Sequence, residues 1–421
     1  MIAGPWGLDM TTNDFRIDLS RLMARLDELG QVGAIAGGGV CRLALSDADR
    51  QGRDLVTGWM RELGLTVTTD RIGNVIGQRA GRTPGSPVLM GSHIDTVATG
   101  GRYDGNLGVL AGLEVVRALA ERNHVTEHPI AVGFFTNEEG ARFQPDMLGS
   151  GVHQGGLSLE DCVAATDRDG LSVGAELERI GYAGAEPCGT FRARAYVELH
   201  IEQGPVLERE GIDLGAVEGV QGISWTELTI EGVSNHAGTT PMAMRHDAGY
   251  VAGAITAFVR KLANDIGGAQ VGTVGLISLV PNLVNVVANR AKMTVDLRNT
   301  DEATLQRAVE QVMAYADQVA EAEGVTLSAR TLARFEPVEF SAEVVDLVAQ
   351  VAGELGHSVK RMPSGAGHDA QMFAPNCPTG MIFVPSRGGI SHNVAEHTDP
   401  EQIESGANVL LQVVLRLADA T

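Results

Sequence analysis

A histidine and two aspartates stand close together after a short apolar run. The segment is Gly91-Ser-His-Ile-Asp-Thr-Val97, and Asp104 follows eleven residues beyond His93. Val88-Leu89-Met90, just before it, reads as the end of a buried strand. Imidazole and carboxylate are borderline and hard donors for divalent ions. Open α/β sheets carry their chemistry just past strand ends. Similar donors recur along the chain. Asp104 lies in Tyr103-Asp-Gly-Asn106, and Glu138-Glu139 lies in Thr136-Asn-Glu-Glu-Gly140. His200 lies in Glu198-Leu-His-Ile-Glu-Gln203, and His392 in Gly389-Ile-Ser-His-Asn393. Three histidines, an aspartate and a glutamate suit two divalent ions that share a carboxylate. Such a pair, ~3.5–4 Å apart, polarises a carbonyl and lowers the pKa of a bridging water.

Each residue also has a plainer reading. A histidine taken alone is more often hydrogen-bonded or at the surface than a ligand. His124, His128, His153, His246 and His357 are assigned to that class. Adjacent glutamates are usually a solvated charge run, but Glu138-Glu139 follows an apolar strand directly and precedes glycine. Two such carboxylates can divide labour, one ligating and one shuttling protons. Asp95, two residues from His93, is the candidate carboxylate for fixing a ligand histidine.

These donors need elements to hold them. Apolar spacing predicts helices over 14–30, 46–63, 107–122, 342–355 and 400–418. Short strands are expected at 65–67, 74–76, 88–90, 129–136, 194–201 and 380–385. The 129–136 run, Pro-Ile-Ala-Val-Gly-Phe-Phe-Thr, is nearly apolar throughout, as a strand covered on both faces should be. From about residue 218 the texture changes. Strands at 223–231, 272–280, 292–298 and 325–332 alternate with helices at 247–264 and 301–323. That order, β-α-β-β-α-β, is the split-βαβ pattern of a ferredoxin-like domain. The expected architecture is two-domain α/β: a discontinuous mixed-sheet catalytic domain (1–217 and 333–421) with an inserted ferredoxin-like α+β domain (218–332). The insert contributes none of the metal donors.

Composition narrows the function classes. The 421 residues give enough chain for two domains, and 44% are hydrophobic. Net charge is −21, which argues against nucleic acid and against anionic membranes. Met1–Thr12 carries no basic, apolar leader pattern, and no run reaches the ~18 apolar residues of a membrane span. Cys41, Cys162, Cys188 and Cys377 are widely spaced, as expected of reduced thiols in a cytoplasmic protein.

The motif set GSHIDTV, YDGNLGV, NEEGARF, ELHIEQGPVLE and GGISHN resembles the M20 metallopeptidase superfamily. Within it the set is similar to the hydantoinase/carbamoylase subfamily: N-carbamoyl-L-amino-acid hydrolases, allantoate amidohydrolases and β-ureidopropionases. The likeness spans nearly the whole chain. HIEQGP discriminates best, because M20 peptidases generally carry a carboxylate at the His200 position. The resemblance implies two divalent ions per subunit, held by His93, Asp104, Glu139, His200 and His392, with Asp104 bridging. It implies Glu138 as general base and Asp95 as orienting acid. His236, in Ser234-Asn-His-Ala-Gly238, would reach an active site, usually the partner subunit's. Gln203, His236, Asn289, Arg298 and the backbone at Gly367 would bind a small ureido-carboxylate substrate. The insert would serve as lid and as homodimer contact.

Residue chemistry agrees less specifically. The planar fork of Arg298 suits a carboxylate, yet a strand-end arginine is by default a surface ion pair. His236 in a Gly-flanked loop suits either an oxyanion donor or a turn. His368-Asp369 suits either support of the site or a helix cap. Zn²⁺, Mn²⁺, Co²⁺ and Ni²⁺ all accept such donors. The implied activity is hydrolysis of N-carbamoyl-L-amino acids to L-amino acid, ammonia and carbon dioxide. Allantoate and β-ureidopropionate are the alternative substrates. A peptidase, an aminoacylase or a non-catalytic metal-stabilised binding protein is a remoter reading.

Overall fold

A strand that is apolar on both faces has to be covered on both faces. That constraint organises the larger part of this molecule. The computed structural model describes residues 14–420. Met1–Thr12, read above as lacking a leader, lies outside them. The chain runs through β1 (Thr66–Thr69), β2 (Val75–Arg79), β3 (Val88–His93), β4 (Ile130–Phe135), β5 (Ala195–Ile201) and β6 (Leu214–Val220). It continues through β7 (Gly222–Glu231), β8 (Val271–Val280), β9 (Arg290–Asn299) and β10 (Thr326–Phe335). It closes with β11 (Val338–Glu339), β12 (Val359–Ser364) and β13 (Thr379–Val384). Two compact units result. One takes the chain up to Glu218 and from Glu339 onward; the other is Gly219–Val338.

The first unit is built on a mixed sheet of order β1-β2-β4-β3-β5-β13-β6-β11, with β12 also pairing β6. The central strands β4, β3, β5 and β13 are mutually parallel, so their C-terminal ends share one edge. β2 and β6 flank them antiparallel. Every residue of β3, β4, β5 and β13 is buried. Helices supply the cover. Asn106–Glu121 buries thirteen of its sixteen residues, and Pro400–Ala418 buries most of its length. Pro400 starts the latter helix at a position with no amide to waste, and Gln402 reaches back to the Asp399 N–H. The chain moves from β3 to β4 on one side and then to β5 on the other. A crevice therefore opens at the C-terminal ends of β3 and β5, where such sheets bind ligands.

The second unit is an antiparallel sheet of order β10-β7-β9-β8. Helices Ala248–Ile266 and Glu302–Glu323 join its strands in the β-α-β-β-α-β order. β9 alternates cleanly: Ala291, Met293, Val295 and Leu297 are buried with Val251, Ile255, Leu305 and Val312 of the helices. Lys292, Thr294, Asp296 and Arg298 occupy its other face.

Some expectations shift. The first helix starts at Leu19, not 14, because the Asp18 side chain accepts the Arg21 N–H and caps it. Phe15 is buried outside that helix. β10 runs through 332, where the sequence reading closes the insert, and the second unit extends to Val338. β6, β12 and the short helices Leu148–Gln154, Leu159–Ala164 and Val173–Ile180 carry no apolar period strong enough to be foreseen. Among the described residues no helix is long and apolar enough to cross a membrane, and all four cysteines are free.

Candidate metal centre

Parallel strands bring their terminal residues to one place, and here those residues are donors. His93 ends β3, and His200 is the penultimate residue of β5. Glu138 and Glu139 follow β4, and His392 lies in the loop after β13. Asp104 precedes the helix Asn106–Glu121. Between them Gly105 adopts φ 67°, ψ −49°, and the Asn106 N–H donates to the Asp104 carbonyl at 2.7 Å. This is a γ-turn of the strained, positive-φ kind. A Cβ on Gly105 would fall 2.4 Å from the His93 ring. The glycine is thus required both by the turn and by the close approach of the histidine.

The donors form two groups that meet at one carboxylate. His93, Asp104 and His200 make the first group; Asp104, Glu139 and His392 make the second. Asp104 Oδ1 lies 3.6 Å from His93 Nε2 and 3.2 Å from His200 Nε2. Asp104 Oδ2 lies 3.4 Å from His392 Nε2, which is 3.2 Å from Glu139 Oε2. Donors around a tetrahedral ion with ~2.0–2.1 Å bonds lie roughly 3.3 Å from each other. The spacing and the donor chemistry therefore both fit divalent cations. His93 Nδ1 and His200 Nδ1 each lie 2.9 Å from a backbone carbonyl, those of Asp95 and Ile201. A carbonyl only accepts, so each Nδ1 carries a hydrogen and each Nε2 is the nitrogen turned toward Asp104, where an ion would sit. A third cluster, Glu198, His200 and His368, reuses His200, whose ring nitrogens are already committed.

Burial and crowding set the protonation of these groups. Burial works against a proton on His93, but the charge of Glu138 and the hydrogen bond to Asp104 outweigh it and hold His93 well above the ordinary range. Burial would raise Asp104, yet hydrogen bonds from His200, His392 and His93 hold it well below the usual carboxylate range. Burial and then the Asp104 charge push Glu139 up to about 8. The hydrogen bond to Asp104 lifts His392 to about 9. Burial raises Glu138 well above an ordinary glutamate. A cation placed among these groups would displace protons from them.

Glu138 stands beside both groups without belonging to either. Its Oε2 is 3.3 Å from His93 Nε2, and only 7% of the residue is exposed. Asp95 holds its turn: the Asp95 carboxylate accepts the amides of Glu138 at 3.3 Å and Glu139 at 3.4 Å. The orienting contact to His93 thus comes from the Asp95 carbonyl, while its carboxylate serves the two glutamates. Gln203 Nε2 donates to Asp104 Oδ2 at 2.8 Å. Gln203, Gly367, Glu138 and Glu139 line one cavity of about 110 Å³ together with His200 and His392. Gly367 meets that cavity through the chain leading into helix Asp369–Phe373.

The remaining expected residues belong to the second unit. His236 is exposed; its Nδ1 accepts the amides of Gly238 at 3.1 Å and Thr239 at 3.2 Å. Its hydrogen therefore sits on Nε2 in the neutral ring. Asn289 is exposed. Arg298 is half-buried, forks onto Asp296 at 3.0–3.3 Å and lies over the Trp225 ring.

Several polar residues escaped sequence reasoning. Arg42 is fully buried and donates to the carbonyls of Ile94, Leu29 and Val32 and to Asn106 Oδ1. Glu198 takes hydrogen bonds from Ser92, Tyr196 and the Ala370 amide. His368, weighed above as support or cap, takes the N-cap position of the helix after it, but its side chain makes no cap bond there; its ring bonds Ser364 Oγ at 2.8 Å. Asp146 lines the cavity. Arg42 and Glu198 have no local signature, because partners distant in sequence, such as Asn106 and Ala370, give them their role.

Residues 89–416 match the model of peptidase family M20/M25/M40. An N-carbamoyl-L-amino-acid amidohydrolase of Rhizobium meliloti is 42% identical over 405 residues, 96% of this chain and 97% of its own. One from Geobacillus stearothermophilus is 41% identical, over 94% and 98%. The crystal structure of a hydantoinase/carbamoylase family amidase from Burkholderia multivorans superposes with TM-score 0.94 at 44% identity, covering 96% of this chain and 99% of that one. The chain therefore belongs to peptidase family M20/M25/M40 and, within it, to the hydantoinase/carbamoylase amidases, hydrolases of carbon–nitrogen bonds.

Proposed function

We propose that this chain hydrolyses N-carbamoyl-L-amino acids at a centre of two divalent ions. The observation that carries the reading is Asp104. One of its oxygens faces His93 and His200, and the other faces His392 and, through it, Glu139. A carboxylate so divided is what two neighbouring cations require. The R. meliloti and G. stearothermophilus relatives, named for this reaction, support the substrate class.

Bound ions would polarise the carbamoyl carbonyl and acidify the attacking water. The chain's own residues do the rest. Glu138, held by Asp95, takes a proton from that water and delivers it to the leaving nitrogen. The carbamoyl C–N bond breaks, releasing the L-amino acid and carbamate, which falls apart to ammonia and carbon dioxide. His236 offers its Nε2–H to the developing oxyanion. Gln203, Asn289, Arg298 and the Gly367 backbone hold the substrate, Arg298 at its carboxylate. In this reading the enzyme is a cytoplasmic homodimer, and His236 serves the partner's site.

The test is ammonia release from N-carbamoyl-L-methionine, β-ureidopropionate and allantoate after reconstitution with Zn²⁺, Mn²⁺, Co²⁺ or Ni²⁺, alongside metal analysis. Preferred turnover of the N-carbamoyl amino acid with two ions per chain is expected. Preference for either other substrate would reassign the reaction, and binding without turnover would make the chain a binding protein.

A further inference from the structure

The loop after β13 supplies His392, and four residues later it supplies Glu396, which is 6% exposed. The Glu396 side chain crosses to the other ligand loop. Its Oε1 accepts the backbone amides of Tyr103 at 3.0 Å and Asp104 at 3.1 Å. Its Oε2 is 3.2 Å from Ser391 Oγ, and that hydroxyl is 3.0 Å from Asp104 Oδ2. Glu396 thus holds Asp104 directly at its amide, and the single Ser391 proton, within reach of either carboxylate, links the two side chains. Its own N–H donates to the Asn393 carbonyl at 3.0 Å and closes the turn that carries His392. The fit is tight: a Cβ on Gly101 would fall 2.1 Å from Glu396 Oε1.

We propose that Glu396 is a positioning residue of the metal centre, tying the Asp104 loop to the His392 loop through Ser391 and so setting the affinity of the Asp104–Glu139–His392 site. The inference rests on the two-ion reading above. The link is hydrogen-bonded geometry, so charge is secondary. A glutamine at 396 would keep its carbonyl oxygen for the two amides and would donate to Ser391 Oγ, freeing the Ser391 proton for Asp104. An alanine would leave both amides and the serine without this partner. Groups that orient metal ligands in this way are worth about ten- to hundredfold in metal affinity.

The experiment strips the full chain of metal and titrates it with Co²⁺. Visible absorption and competition with a chromogenic chelator follow each equivalent, and the melting point of the metal-free protein is the control. In Glu396→Ala the second equivalent should weaken about ten- to hundredfold, with the first close to the parent's. Glu396→Gln should restore the second, and Ser391→Ala should weaken it. If Glu396→Ala does not fold, the other two variants carry the test. Parent-like binding of both equivalents by Glu396→Ala, or by Ser391→Ala, overturns the proposal. So does a glutamine variant as damaged as the alanine one, or an equal loss of both equivalents with a collapsed melting point. A parent that takes up one ion only instead refutes the two-ion reading on which it rests.

Discussion

At the scale of single residues, the two adjacent glutamates have different surroundings. Glu139 Oε2 faces His392, whereas Glu138 Oε2 faces His93 and belongs to neither donor group. Replacing Glu138 with Gln keeps the shape and removes the proton acceptor. Two bound ions should be retained while kcat falls by about 10²–10⁴, the usual worth of a general base; near-parental kcat would reassign the base. Glu139 and His392 give a prediction in pH. Both have folded pKa values above their ordinary ones, about 8 against 4.5 and about 9 against 6.5. The folded, metal-free chain therefore binds more protons than the unfolded chain between those limits. Stability from these groups is complete below the ordinary values and is lost as pH rises through about 8 and 9. A cation takes the place of the protons, so its stabilising effect grows over the same range. The melting point of the metal-free protein should fall between pH 6.5 and 9 while the increment on adding metal rises. A flat increment across that window would mean that these residues do not bind the ion.

At the scale of elements, the site depends on how two short connections leave β3 and enter the helix Asn106–Glu121. Arg42 spans both, donating to the Ile94 carbonyl on one side and to Asn106 on the other. Arg42→Met would strand the buried Ile94 carbonyl and the buried Asn106 Oδ1 and remove a donor from the carbonyls of Val32 and Leu29, the last of which keeps the Val32 N–H. Each stranded group costs about 1–3 kcal/mol, so a melting-point drop of many degrees is expected, and a drop of a degree or two would show the network to be dispensable. Gly105→Ala acts more locally. It forces a side chain into a positive-φ γ-turn and against the His93 ring. The fold should survive by circular dichroism while metal affinity is lost; an alanine variant with parental affinity would show that the turn can relax. These two positions also mark where sequence reading stops. Strand ends with donors behind them were legible, since an apolar run followed by His93 or by Glu138-Glu139 carries its own local pattern. The β-α-β-β-α-β order of the second unit was legible from periodicity. Arg42, Glu198 and Glu396 were not, because their role rests on partners far along the chain, such as Asn106 for Arg42, Ala370 for Glu198 and Tyr103 for Glu396. The division of Asp95, carbonyl to His93 and carboxylate to the glutamates, was equally hidden, since it depends on the path of the backbone.

At the scale of the whole molecule, the second unit carries an edge that calls for a partner. β8 is the outer strand of its sheet, and Val271, Leu276, Ile277 and Val280 along it are exposed. The register slips between Val274 and Leu276, and the irregularity leaves consecutive apolar residues, Leu276 and Ile277, both uncovered. Open edges of this kind are normally blunted with charge or covered, because they pair with other chains. A second copy of this chain would cover it, consistent with the proposed homodimer in which His236 serves the partner's site. Light scattering should therefore give twice the mass of one chain. Leu276→Glu combined with Ile277→Lys should give a monomer that binds its metal ions normally yet has lost most of its kcat, since each site would lack the partner's His236. A parent that is monomeric removes the homodimer. A double variant that stays dimeric moves the interface away from β8. A monomeric variant with full turnover would place His236 at the site of its own chain.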